Sequence, residues 1–224
     1  MLDSAFFQEW LRYFNGIIRP AIGATLRMVT ASMFFAFILG FLLAIVLVIY
    51  SPHGLRPNKR IYGILDFFVN IIRSFPIIIL IVAISPITRM VVGTTIGEKA
   101  AILPLTIAAA PFMARIFENS MMEVDKQLIE AARSFGASDL QIIFKVLIKE
   151  SIPSIISGTT LSIIYFLSAT TLAGAVGAGG IGAVALNYGY QSFNNSILYT
   201  CVFILLIMVQ IIQMIGNWLY KKFV

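Results

Sequence analysis

The segment "GAVGAGGIGAVALNYGY", residues 174–190, holds Gly177, Gly179 and Gly182 in the spacing G-x-G-x-x-G. That spacing marks a turn whose backbone amides cradle a dinucleotide's phosphates when a strand precedes it, a helix opens on the last glycine, and an acidic residue follows about 20 positions on. Here a long apolar run precedes it, and no acidic residue occurs after Glu150. The match to a nucleotide site is accidental. Other catalytic signatures are missing as well: no G-x-x-x-x-G-K-[ST], no H-E-x-x-H and no G-x-S-x-G. The single histidine, His53, sits in the polar stretch "SPHGLRPNKR" and is read as solvated. Cys201, the lone cysteine, lies in an apolar run and is read as helix packing, with no disulfide framework possible.

The elements that carry these residues are membrane helices. Of the 224 residues 59% are hydrophobic and 12% charged, and a mean hydropathy of +0.95 does not describe a soluble domain. A net charge of +6 could suggest nucleic acid, but the basic residues flank apolar runs instead of forming one patch, so no nucleic-acid partner is expected. A bilayer core takes about 20 apolar residues per helix. Five candidate spans follow, at about 28–50, 61–85, 100–113, 152–175 and 196–219, the third short and holding Pro104 and Pro111. The first run is too long, and too poorly led by basic residues, for a secretory signal.

An odd number of spans puts the termini on opposite sides, and the positive-inside rule chooses between the two arrangements. A cytoplasmic C-terminus places ten Lys/Arg inside, from Arg56 to Lys222, and only Arg12, Arg19, Arg89 and Lys99 outside, with Arg27 and Arg73 within spans. The expected fold is therefore all-α with five transmembrane helices, N-terminus outside and C-terminus cytoplasmic, in a single transmembrane domain, 1–224. Phe6, Phe7, Trp10, Leu11 and Phe14 share one helical face, which suggests an amphipathic helix on the outer leaflet.

In this topology Gly174, Gly177, Gly179, Gly180 and Gly182 fall at the outer mouth. They suit a backbone that leaves a helix, turns sharply and packs closely, although a flexible extracellular loop is the alternative. Arg73 lies midway through the second span, beside Pro76. A proline there removes a backbone bond and kinks the helix, leaving carbonyls that Arg73 can meet; a structural anchor is favoured over a substrate contact. Asp66, one turn inside the cytoplasmic boundary, is expected to reach the interface.

The one long polar segment, 114–153, carries eleven charges, five positive and six negative. Two short helices are expected in it. The first opens after Asp125 as N-cap and stops at Gly136, with Leu128, Ala132 and Phe135 on one face and Lys126, Glu130 and Arg133 on another. The second opens at Ser138, where "SDLQ" has the form of a capping box. By pattern alone this is either a docking element for another protein or a solvated hairpin between spans.

Within it "EAARSFG", 130–136, resembles the E-A-A-x-x-x-G signature of permease subunits of bacterial ABC importers. Nine residues after the glycine those permeases continue I-x-L-P, whereas this chain has "VLIK", 146–149, with Pro153 one turn later. The proline of that pattern is absent at Lys149, which leaves the position of the helix bend open but not the family resemblance. "NIIRSFPIIILIVAISPITRMVVGTTIGEKAAILPLTIAAAPFMARIFENSM" and "AGAVGAGGIGAVALNYGYQ" resemble the methionine-importer permeases, and the likeness runs from about Gly23 to the last helix. The resemblance implies a type I importer permease in the bacterial cytoplasmic (inner) membrane. It works as a homodimer among membrane lipids, with two copies of a cytoplasmic ATPase and an extracytoplasmic methionine-binding lipoprotein. It also implies that Glu130, Ala131, Ala132 and Gly136 belong to a coupling helix, in a cytoplasmic loop at about 114–152, that docks on the ATPase. An outer gate is implied at Leu172, for which ordinary packing is the alternative reading. No cofactor and no catalytic residue are expected, and no substrate-binding residue is legible.

A secondary transporter is the rival class, but such proteins carry mid-span carboxylates or inverted repeats, and this chain offers only peripheral Asp66. Within the importers, the alternative is a permease for another amino acid or an osmolyte.

Overall fold

The computed structural model describes Gln8 and residues 10–223. Phe6 and Phe7 of the expected amphipathic face lie outside the described residues. Helix α1, Trp10–Tyr50, runs for 41 residues, so from Trp10 onward that face is the start of the first long helix and not a separate element. Trp10 stacks on Phe14 and donates its indole N–H to Thr200 Oγ1 at 3.1 Å. A wide π-type turn at Phe14–Ile18 precedes Pro20. Such a turn accommodates a proline that has no N–H and would clash with the carbonyl four residues back.

Helix α2, Lys59–Ser74, opens on Asn58, whose side chain accepts from the amides of Arg60 and Ile61. It stops because Pro76 forces the preceding Phe75 into an extended conformation, ψ 132°. The chain resumes as α3, Ile77–Ala83, and α4, Ser85–Val92, the latter closed by Gly93 in the left-handed region. The expected second span is thus a broken pair, α2 and α3. Helix α5, Glu98–Met122, carries both Pro104 and Pro111 and continues well past residue 113, where the third span was expected to end. The polar segment is correspondingly shorter: α6, Lys126–Ser134, then α7, Asp139–Ala178. Helix α7 widens into a π-type turn at Ile143–Leu147, ahead of Pro153. A short helix α8, Gly180–Val184, and a π-type turn, Ala185–Tyr190, lead to α9, Asn195–Phe223. No strand occurs among the described residues. Four helices are long and apolar enough to cross a membrane, and five spans result if the α2 and α3 pair counts as one.

The chain divides into two compact units. The first holds the residues up to Phe34, with Pro76–Thr106 and Ile163–Ile212; the second holds Phe35–Phe75, Ile107–Ser162 and the residues from Gln213. In the first, Ile18, Met28, Leu105, Phe166, Ile181 and Cys201 are buried. In the second, Phe117 is buried with Phe37 and Phe41 edge-on to its ring, centroids 5.0 and 5.8 Å away. Close helix approach there depends on small residues. A Cβ on Gly40 would stand 2.6 Å from that of Met113, and one on Gly216 would stand 2.3 Å from Thr160 Oγ1.

Candidate functional site

The polar helix pair forms as its caps dictate. Asp125 accepts from the amide of Gln127 at 2.9 Å, opening α6. Gly136, at φ 78°, ends it, and the amide of Ala137 returns to the carbonyl of Ala132. Ser138 and Gln141 make a reciprocal capping box at the start of α7. None of the residues of α6 is buried. Glu130 and Ala131 are exposed, Ala132 is half-buried and Gly136 is exposed. On the apolar face of α6 Leu128 is exposed and Phe135, just past its end, is 91% exposed, while Ala132 between them is half-buried. Ile129 and Arg133 line a cleft of about 150 Å³ with residues such as Leu55, Met121 and Leu147, and Lys126 and Glu130 border it while remaining exposed to solvent. Arg133 bridges the cleft, donating to the carbonyl of Leu55 at 2.8 Å.

In the glycine segment Gly174, Gly180 and Gly182 are tightly packed, whereas a Cβ on Gly179 would meet nothing within 4 Å and one on Gly177 only Ile96, at 3.5 Å. Gly180 has φ 79°, and a Cβ on it would meet Thr25 Oγ1 at 2.6 Å. The neighbouring amide of Ile181 already donates to Thr25 Oγ1 at 2.9 Å, so this buried N–H is committed to the protein and does not face a phosphate. Gly182 approaches Thr171 so closely that a Cβ would fall 2.3 Å from Thr171 Cα. Gly174 is buried in the same fold-back, and the carbonyl of Gly177 accepts from the amide of Gly97 at 2.9 Å. Gly179 is the N-cap of α8. Leu172 stands just before this segment on α7, 48% exposed. Because overpacking costs about 1–3 kcal/mol, Gly182→Ala is expected to lower the thermal midpoint of the purified protein by several degrees. Gly63→Ala, where an added Cβ meets nothing within 4 Å, is the control and should not lower it.

Asp66 is half-buried and has partners on the neighbouring helix. It pairs with Arg115, which also donates to Glu118 at 2.7 Å, while Tyr62 donates its hydroxyl to the same carboxylate at 2.9 Å. Asn70 Nδ2 donates to Asp66 at 2.9 Å. The side chains of Arg115 and Glu118 are only 15% and 4% exposed. This network lets α5 continue as a helix through two charges that, alone, mark the end of an apolar span. The signal lies in the sequence as Tyr62, Asp66 and Asn70 at i, i+4 and i+8, one helical face, opposite Arg115 and Glu118 at i, i+3.

Arg73 lies in the last turn of α2, its guanidinium 5.7 Å from the ring centroid of Phe112. Its described contact is therefore this cation–π pair, and not the carbonyls freed ahead of Pro76.

The fold is that of a multi-span helical membrane protein that presents a capped polar helix with no buried residue. Residues 36–224 match the family of binding-protein-dependent transport system inner membrane components, and the chain belongs to that family. It is 41% identical to the "Probable D-methionine transport system permease protein MetI" of Vibrio cholerae, over 96% of this chain and 95% of that one. It is 45% identical to the methionine import system permease protein MetP of Bacillus subtilis, over 77% of this chain and 78% of that one. A chain of the MetNI methionine ABC transporter, solved in inward-facing conformations, superposes with a TM-score of 0.90 at 38% identity, covering 93% of this chain and 96% of that one.

Proposed function

We propose that this chain is the permease subunit of an ATP-binding-cassette importer and forms the path by which methionine crosses the bacterial cytoplasmic membrane. The observation that carries the reading is full-length agreement, in sequence and in fold, with permeases of methionine transporters. It is a transporter subunit and not an enzyme: ATP hydrolysis belongs to a separate subunit.

The working assembly is a homodimer of this chain on two copies of a cytoplasmic ATPase, loaded by an extracytoplasmic methionine-binding lipoprotein. The N-terminus is outside and the C-terminus cytoplasmic, an arrangement supported by the excess of Lys/Arg in the segments it places inside. In this arrangement α6 is the coupling helix. Its unburied surface, with Glu130, Ala131 and Ala132 and the turn at Gly136, meets the ATPase, and exposed Leu128 and Phe135 supply apolar area that water would otherwise cover. ATP binding closes the ATPase pair, draws the two α6 helices together and switches the permease between inward- and outward-facing packings. Leu172 closes the outer mouth by excluding water, and the rigid turn from Gly174 through Gly177, Gly179 and Gly180 to Gly182 holds it in place. Arg73 and Pro76 anchor the break between α2 and α3.

The experiment is ATP-driven uptake of labelled methionine into proteoliposomes holding this chain, its ATPase and its binding protein. Accumulation that requires all three supports the reading. Intact ATPase activity stimulated by a receptor loaded with another amino acid or an osmolyte, with no methionine uptake, keeps the permease and removes the substrate.

A further inference from the structure

Helix α6 packs against the first turns of α7, with Ile129 and Ala132 half-buried, but its polar ties to the rest of its unit are few. None of its residues is buried, and an open cleft separates it from the ends of α1 and α5. Among the described residues, one side-chain hydrogen bond leaves α6 for another segment, that from Arg133 Nη2 to the carbonyl of Leu55. What it grips is stiff. Leu55 is buried, in the turn between α1 and α2. The amides of Gly54, Arg56 and Asn58 bond back to Ser51, Ile49 and Tyr50, and Asn58 caps α2. A Cβ on Gly54 would fall 2.0 Å from the carbonyl of Val48, so the turn lies close against the end of α1. Asp139, in the first turn of α7, completes the joint: its carboxylate pairs with Arg56 from the turn and lies 4.0 Å from Arg133. Three segments thus meet on two guanidinium groups and one carboxylate.

We propose that Arg133 is the positioning residue through which α6 drives the membrane helices: by holding Leu55 and Asp139 it carries a displacement of α6 into the stiff α1–α2 turn. This rests on the reading of α6 as the coupling helix. A planar guanidinium with several fixed donors transmits orientation as well as position, which a lysine ammonium on a flexible stem does not. Without it, α6 still docks through Glu130, Leu128 and Phe135, but it slides over the cleft without moving α1 and α2. Hydrolysis then continues while transport fails.

The test measures methionine uptake and ATP hydrolysis in the same proteoliposomes, with the complete complex, for wild type, Arg133→Gln and Arg133→Lys. Arg133→Gln is expected to copurify with the ATPase in wild-type amount and to keep most of its hydrolysis, while methionine moved per ATP falls about tenfold. Arg133→Lys, which keeps a donor, should lie between. An unchanged ratio overturns the proposal, as does a parallel fall of both activities, which makes Arg133 a docking or folding residue. Should Arg133→Gln fail to assemble, Asp139→Asn decides: a severalfold lower ratio supports the joint, and a wild-type ratio overturns it. If the wild-type complex hydrolyses ATP but carries no methionine, only the substrate reading fails, and the ratio is measured with the amino acid or osmolyte whose loaded receptor stimulates hydrolysis. If this chain does not assemble with an ATPase at all, the functional reading fails and takes this proposal with it. If wild type transports and Arg133→Gln matches its ratio, only the proposal fails.

Discussion

Glu130→Arg is expected to reduce ATP-driven uptake to background. Glu130 is exposed on a helix with no buried residue, so the change costs the isolated chain little, and the fold and expression should be retained. Its effect falls on the docked state. With α6 as the proposed coupling helix, the Glu130 carboxylate would suit a basic partner group, and reversing its sign would set like charges against each other in a desolvated contact, a cost of several kcal/mol. At about 1.4 kcal/mol per tenfold, docking weakens by two orders of magnitude or more. Copurification of the ATPase should therefore be lost together with uptake, which separates this variant from Arg133→Gln, where docking survives. Wild-type uptake by Glu130→Arg would remove Glu130 from the coupling surface.

Arg115→Leu is expected to have the largest effect on stability. It leaves Asp66 and Glu118 without their cation, and Glu118 is almost fully enclosed. Removing one partner of a buried ion pair costs about 3–5 kcal/mol. For a chain of this size, that corresponds to a thermal midpoint lower by roughly 10 °C. The combination Arg115→Met, Asp66→Asn and Glu118→Gln removes all three charges together, and Tyr62 can still hydrogen-bond to residue 118. It should recover most of the loss, because replacing a whole buried ion pair with neutral groups is often close to neutral. Thermal midpoints in detergent, followed by loss of the monodisperse peak, check both. A single variant within about 2 °C of wild type would show that the network is not what holds α2 against α5.

The sequence alone was enough wherever the deciding interaction is short-range. The caps at Asp125 and Ser138, the stop at Gly136 and the break at Pro76 each depend on a few neighbouring residues, and each stands where the pattern puts it. The long apolar runs likewise show themselves as membrane helices, because hydropathy is a sum over neighbours and not over contacts. The glycine segment was readable as close packing for a related reason: five glycines among small apolar residues leave little side chain to solvate.

Tertiary structure alone decided what depends on partners distant in the chain. Helix α5 runs on to Met122 because Arg115 and Glu118 are met by Tyr62 and Asp66, some 50 positions away, and neither charge discloses its partner locally. Arg73 finds the ring of Phe112 and not the carbonyls one turn on, since the choice lies with the neighbouring helix. On α6 the pattern shows two faces but cannot say which one packs. The usual rule turns the apolar face inward, yet Leu128 and Phe135 are exposed and Arg133 is tied to Leu55. Amphipathicity specifies that a helix has two environments, and only the surrounding chain specifies which side is which.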